Sequence, residues 1–301
     1  MPNQKHQVAE NSNEITNQIN PSFFKDCMVF TKMRLASLVI LSAIAGYLFA
    51  GGGFDFGLLL LTIGGILVTG ASNGMNQIIE RDLDKKMART KNRPIPAGRM
   101  SVKQGLLIVV LCLVFGTVLL YMINFKTAFW GFISFVLYAF VYTPLKTKTS
   151  WSVFVGAIPG AFPPFLGAIA FLDEYTLIPG ILFMVQFMWQ FPHFWAIAWV
   201  LYDDYKHGGF NLLPSKNGKT KTSAFPILVY TLLLVPFSLL PWVLDMVGPL
   251  TFYLGSFMGM IFFLFAYRLY LTCDTKDARK LMFASFVYLP LIQFLYVLDK
   301  V

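Results

Sequence analysis

The chain has 301 residues, of which 56% are hydrophobic and only 13% charged, with a formal net charge of +9 and a mean hydropathy of +0.63. Soluble domains average about 45–50% apolar and about 25% charged residues, so an ordinary soluble enzyme is excluded. Several uncharged runs reach about 18 residues or more, the length that crosses a bilayer as a helix.

Lipid leaves backbone groups no partner outside a helix or a closed barrel. The fold class read from these runs is therefore all-α: a polytopic membrane protein of about nine transmembrane helices. In a soluble protein +9 would suggest nucleic acid. Here it reads as loop charge beside a membrane, with a lipid bilayer and no nucleic acid as partner. Cys27, Cys112 and Cys273 lie far apart and show neither metal nor disulfide spacing.

Residues 1–22 are polar, carry no apolar signal-peptide core and read as a disordered cytoplasmic tail. The predicted spans then run over 36–50, 57–79, 105–122, 127–143, 153–172, 177–200, 225–244, 248–271 and 281–298. The fifth holds Gly156, Pro159, Gly160, Pro163, Pro164 and Gly167 and is expected to kink. With the N-terminus placed in the cytoplasm, 22 of the 24 Lys and Arg fall on the cytoplasmic side. Only Lys126 and Lys300 fall opposite, an asymmetry that predicts N-terminus in and C-terminus out. The outer loops are short. The long ones, about 80–104 and 201–224, both lie on the basic side and hold the unusual polar residues.

The second span ends in Asn76, Glu80 and Asp84, spaced four residues apart. Each such step turns about 40° beyond a full helical turn, so the three share a face. A carboxamide and two carboxylates at a membrane helix end suit a hard cation such as Mg²⁺, which takes one or two carboxylates and completes its shell with water and phosphate oxygens. Asp82 is close enough in sequence to share this work. Arg89 and Arg93 follow at once and suit diphosphate oxygens. Lys85, Lys86 and Lys103 read as membrane-flanking charge alone.

The sixth span runs through His193 to Asp203, Asp204 and Lys206. His193 and Asp204 fall about 20° apart on a helical wheel and, on a straight helix, roughly 16 Å apart in height. This places Asp203, Asp204 and Lys206 at a mouth and His193 deeper. A lone histidine is usually structural. One inside a membrane span points more strongly to function.

These residues carry a resemblance. Asn76-xxx-Glu80-xxx-Asp84 followed by Arg89-Thr-Lys-Asn-Arg93-Pro-Ile-Pro resembles the first motif of the UbiA-type intramembrane prenyltransferases, with Glu80 where the family usually has Asp. Pro192-His193-Phe-Trp, then Asp203-Asp204-Tyr and Leu213-Pro214, resembles the protohaem IX farnesyltransferase (haem O synthase) branch. So do Tyr142-Thr-Pro-Leu-Lys146 and Thr31-Lys32-Met-Arg34. The family's second motif is Asp-xxx-Asp, and Val200 stands where its first Asp would be.

The resemblance covers the chain from about residue 25 and implies one prenyltransferase domain over 23–301, a UbiA-like helical bundle in the bacterial inner membrane. It implies Mg²⁺ as cofactor, held by Asn76, Glu80, Asp84, Asp203 and Asp204. Arg89, Arg93, Lys146, Lys32 and Lys206 would bind diphosphate, although Lys32 also suits an interfacial anchor. His193 would contact the haem, ligate it or act in acid–base chemistry. The implied reaction is farnesyl transfer from farnesyl diphosphate to protohaem IX, with a haem A synthase or terminal oxidase assembly downstream. Two alternatives stand beside it: a prenyltransferase acting on a quinone precursor or other aromatic acceptor, and a membrane transporter. Transporters favour midplane sites, whereas these polar residues gather at one face.

Overall fold

The computed structural model describes residues 23–301, so the tail expected over 1–22 lies outside the described residues. Among them, nine helices are long and apolar enough to cross a membrane. They are α2 (Met33–Ala50), α3 (Phe56–Ile79), α5 (Val102–Tyr121), α6 (Phe125–Leu145), α7 (Ser152–Leu172), α8 (Leu177–Val200), α10 (Lys221–Val243), α11 (Pro249–Thr272) and α12 (Thr275–Leu298). Short helices α1 (Phe23–Phe30), α4 (Arg81–Asp84) and α9 (Tyr202–His207) sit at one end of the bundle. No strand occurs among the described residues. The molecule is an all-α, multi-pass integral membrane protein.

The helix starts follow local chemistry. Asp55 accepts from the Leu58 N–H at 2.9 Å to open α3. Ser101 and Gln104 form a reciprocal capping box on α5. Helix α7 runs unbroken through the three prolines that had suggested a kink. Pro164 has no N–H to donate to Gly160, and Gln186 of α8 donates to that orphaned carbonyl instead at 2.8 Å. The Gln186 side-chain oxygen Oε1 in turn accepts from Gln293 Nε2 of α12 at 2.8 Å.

Two apolar cores result. One joins α8, α10, α11 and α12 around Trp199, Phe262 and Tyr296. The other joins α2, α3, α5 and α6 around Phe30, Leu61 and Val109. Helices α2 and α7 cross between them at backbone contact. A Cβ on Gly46 would collide with the Pro164 backbone oxygen, and one on Gly167 with the Ala43 backbone oxygen. The space left where the cores meet holds the cavities described next.

Candidate active site

Helix α3 carries buried polar residues into its last turns. Gln77 donates to the Phe30 carbonyl at 2.6 Å and Asn73 to that of Thr31 at 3.2 Å, which fixes the α1–α2 junction against α3. Asn76 donates to the Thr143 hydroxyl of α6 at 3.1 Å, fixing the orientation of its carboxamide. Glu80 leaves regular helix geometry (φ −89°, ψ 6°), yet the four-residue ladder continues across it. The Glu80 N–H donates to the Asn76 oxygen at 2.9 Å and the Asp84 N–H to the Glu80 oxygen at 2.8 Å. The predicted common face is therefore retained: Asn76, Glu80 and Asp84 all line one cavity of about 950 Å³. Asp82 does not. It is exposed and pairs with Lys85 at 3.2 Å and Arg81 at 3.5 Å.

Cations meet these acids from three directions. Arg93 donates to Asp84 at 2.7 Å, and Asp84 is fully buried. Lys146, from the end of α6, lies 2.5 Å from Glu80 and rests over the Tyr142 and Phe210 rings. Lys32 lines the same cavity from a left-handed backbone position (φ 50°) between α1 and α2. Removal from bulk water, then the nearby Arg93 and Lys146 cations, lower its ammonium to about 7 against the opposing pull of Glu80 and Asp84. Arg89 lines the cavity beside them.

The second acidic constellation is placed differently. Helix α8 ends at Val200, and Leu201 (φ −99°, ψ 17°) bends the straight run assumed from the sequence. The ladder nevertheless continues across it: the Leu201 N–H donates to the Ile197 oxygen and the Tyr205 N–H to the Leu201 oxygen, both at 2.9 Å. Asp204 then accepts from the Ala88 N–H at 2.9 Å, and its other oxygen lies 4.0 Å from Arg89 Nε. It grips the loop that follows α4 and is not among the cavity-lining residues. Asp203 is 79% exposed and pairs with Lys219 at 3.2 Å, and Lys206 is exposed outside the cavity. Neither stands at the mouth, because the four-residue ladder from Ile197 through Leu201 carries Tyr205 to the cavity and leaves Asp203 and Lys206 off that face. Tyr205 and Phe210 line the cavity instead. Burial raises the Tyr205 hydroxyl above its ordinary range, so it stays a neutral hydrogen-bonding group. In a chain so rich in aromatics, nothing in the sequence singled these two out.

His193 sits where this cavity meets a second, more apolar one of about 300 Å³. Both are lined by His193, Tyr138, Tyr142, Phe194 and Phe286. The smaller continues to Val68, Gly131 and Phe162. The His193 ring stacks on Trp189 at 4.3 Å, and Nδ1 lies 2.7 Å from the Ser285 hydroxyl. Ser285 gives its own proton to the Met282 carbonyl at 2.6 Å. The serine oxygen is therefore the acceptor of Nδ1–H, and Nε2 keeps its lone pair.

The donor set fits a hard divalent cation. One Asp84 oxygen is buried with no hydrogen-bond partner among the described residues, and the surrounding donors are carboxylate and carboxamide oxygens. No three His, Cys, Asp or Glu side chains converge as a ready-made metal cage among the described residues. That suits Mg²⁺, whose shell is filled largely by water and phosphate oxygens.

Residues 39–289 match the model of the UbiA prenyltransferase family. The chain belongs to this family. Among curated relatives, it is 48% identical over 298 residues to the protoheme IX farnesyltransferase of Christiangramia forsetii, covering 96% of this chain and 98% of that protein. Among solved structures, it superposes on a digeranylgeranylglyceryl phosphate synthase with a TM-score of 0.77 at 18% identity, covering 92% of this chain and 98% of that one. It also superposes on a UbiA homolog from Archaeoglobus fulgidus bound to GPP and Mg²⁺ with a TM-score of 0.65 at 13% identity, covering 90% and 99%. At those identities the two structures show the family's helical bundle in this chain, the fold expected from the motifs at Asn76–Gly98 and Pro192–Pro214.

Proposed function

We propose that this chain is a protohaem IX farnesyltransferase that joins the farnesyl group of farnesyl diphosphate to a vinyl group of haem B, with addition of water, giving haem O and diphosphate. The single observation that carries this reading is the near full-length identity to the Christiangramia enzyme. The site supports it chemically, and the magnesium and allylic diphosphate bound to the Archaeoglobus homolog support the choice of ligands. The reading takes residues 23–301 as one prenyltransferase domain, with the charged end of the bundle and the N-terminus in the cytoplasm, by the positive-inside rule.

Asn76, Glu80 and Asp84 would hold Mg²⁺. The ion, when bound, neutralises charge that develops on the departing diphosphate. Arg93, Lys146, Lys32 and Arg89 bind and orient the same diphosphate oxygens, adding preorganised positive charge. We assign Asp204 a positioning part, since its carboxylate holds the Ala88–Arg89 backbone.

The C1–O bond of the farnesyl group breaks, and its electron pair leaves with diphosphate. The prenyl tail lies in the apolar cavity between Val68, Gly131 and Phe162, away from water. The rings of Tyr138, Tyr142, Phe194 and Phe286 face the allylic cation. The terminal vinyl carbon attacks C1, and water adds to the vinyl carbon next to the porphyrin. His193 Nε2, held unprotonated by Ser285, takes the proton that this water releases.

The test is a mass spectrum of haem extracted after incubation of the purified protein with protohaem, farnesyl diphosphate and Mg²⁺. A magnesium-dependent gain of one farnesyl group and one water is expected. Unmodified haem beside an active control, with prenylation of a hydroxybenzoate, would replace protohaem with an aromatic acceptor.

A further inference from the structure

The wide cavity is lined by six cations and only two carboxylates. Four of the cations are accounted for. Lys32, Arg93 and Lys146 cluster with Glu80 and Asp84, since these are the charges that act on Lys32. A divalent cation and a diphosphate ester of about three negative charges bring that cluster close to neutrality. Arg89 is balanced by Asp204.

Lys25 of α1 and Arg34 in the first turn of α2 remain. Both are exposed at the rim. Neither forms an ion pair among the described residues. The acid nearest Lys25 in sequence, Asp26, is turned away and taken by Arg99 at 3.0 Å. Between the two cations the rim is aliphatic: Met28, Val29 and Leu35 line the same opening. Phe286 of α12, 42% exposed, lines the same opening. The opening thus offers two outer positive charges above an apolar slot that leads to His193.

Such an opening suits an amphipathic planar ligand with two carboxylates on one edge. The acceptor proposed above has that form, for its two propionates lie on the side of the ring away from the vinyl groups. We propose that Lys25 and Arg34 form a carboxylate-binding subsite that pairs with the two propionates of the porphyrin acceptor and directs its vinyl edge inward toward His193. The subsite rests on the protohaem reading. It adds a fixed orientation of the acceptor, propionates at the rim and vinyl groups deep.

An anionic lipid headgroup would be drawn to the same two cations, so the test separates the two sources. The full-length protein and its Lys25→Gln/Arg34→Gln double variant are placed in nanodiscs of zwitterionic lipid. Each is titrated by Soret absorbance with protohaem and with protohaem dimethyl ester, whose propionates are uncharged. The wild type should bind protohaem more tightly than the ester. The double variant should lose about tenfold to a hundredfold in protohaem affinity and little for the ester, as expected for charge-assisted hydrogen bonds. Its affinity for farnesyl diphosphate, measured by calorimetry, should stay within about twofold, which shows that the site is folded.

Equal losses for protohaem and the ester would overturn the subsite, as would no loss for either. So would a loss confined to discs containing anionic lipid, which would assign the cations to headgroups. A wild-type protein that binds neither porphyrin but does bind farnesyl diphosphate would instead sink the choice of acceptor.

Discussion

Two helix ends at the charged face look alike in sequence and are used differently. Each is a membrane helix that runs into acidic residues, then a basic loop. At the end of α3 the hydrogen-bond ladder continues across Glu80, so Asn76, Glu80 and Asp84 keep one face and turn it into the cavity. At the end of α8 the ladder also continues, from Ile197 through Leu201, but the residue it carries onto the cavity face is Tyr205, one position beyond Asp204. Asp203 then meets Lys219 in solvent, and Asp204 meets the backbone of the loop from the first constellation. The lesson is that an acid's neighbours in sequence do not fix its work; its register on the cavity-facing ladder does. The first end faces the reaction space. The second holds the first in place.

That division can be broken most sharply at Asp84. Asp84→Ala is expected to lower turnover by at least about a hundredfold, the scale for removing one group that acts on developing charge. The yield of folded protein and the thermal midpoint of the detergent-solubilised variant, measured beside it, should report any structural loss separately. Wild-type turnover would end the assignment of the α3 face. Asp204→Ala should act through the Ala88–Arg89 loop and cost less, about tenfold. Part of that loss should be recovered by Asp204→Asn, whose carboxamide oxygen still accepts the Ala88 N–H. Asp203→Ala and Lys206→Ala, both facing solvent, should stay within about twofold in the same assay. A large loss at either would mean that α9 turns inward during the reaction.

A separate effect concerns pH. The Lys32 ammonium is lowered to about 7, so it is charged below that value and increasingly neutral above it. Diphosphate favours the charged form, so binding must take up a proton above pH 7. Affinity for farnesyl diphosphate should therefore weaken as pH rises through 7, by at most about tenfold per unit. Lys32→Gln should bind more weakly at pH 6 and lack this step. Parallel profiles for the two proteins would assign the titration elsewhere.

Much of this architecture was readable in the sequence because the bilayer imposes long apolar runs. The run over 177–200 coincides with α8, and the other spans differ only at their ends. Helix α12 starts earlier than its apolar run because Asp277 is buried against Arg268 and Lys280, which carries a polar first turn into the helix. The α3 face was legible because four-residue spacing survives a mild bend. The bend at Leu201, which leaves Tyr205 rather than Asp204 on the cavity face, was not, since no Gly or Pro marks it. Helix α1 was missed for a similar reason: its hold on the bundle comes from Asp26 and Arg99, 73 residues apart, and from Gln77 and Asn73 of α3. Contacts of that separation have no local signal. Tyr205 and Phe210 became site residues only once the loops had closed around them.

The central claim is that the α3 face holds the divalent cation and the α8 end does not. It is tested most directly by calorimetric titration of Mn²⁺ into the protein saturated with a non-hydrolysable farnesyl diphosphate analogue. Wild type, Asp84→Asn and Asp204→Asn are compared. The account predicts at least about a tenfold loss of Mn²⁺ affinity for Asp84→Asn and less than about threefold for Asp204→Asn. The reverse order, or equal losses, would contradict it and return Asp204 to the metal.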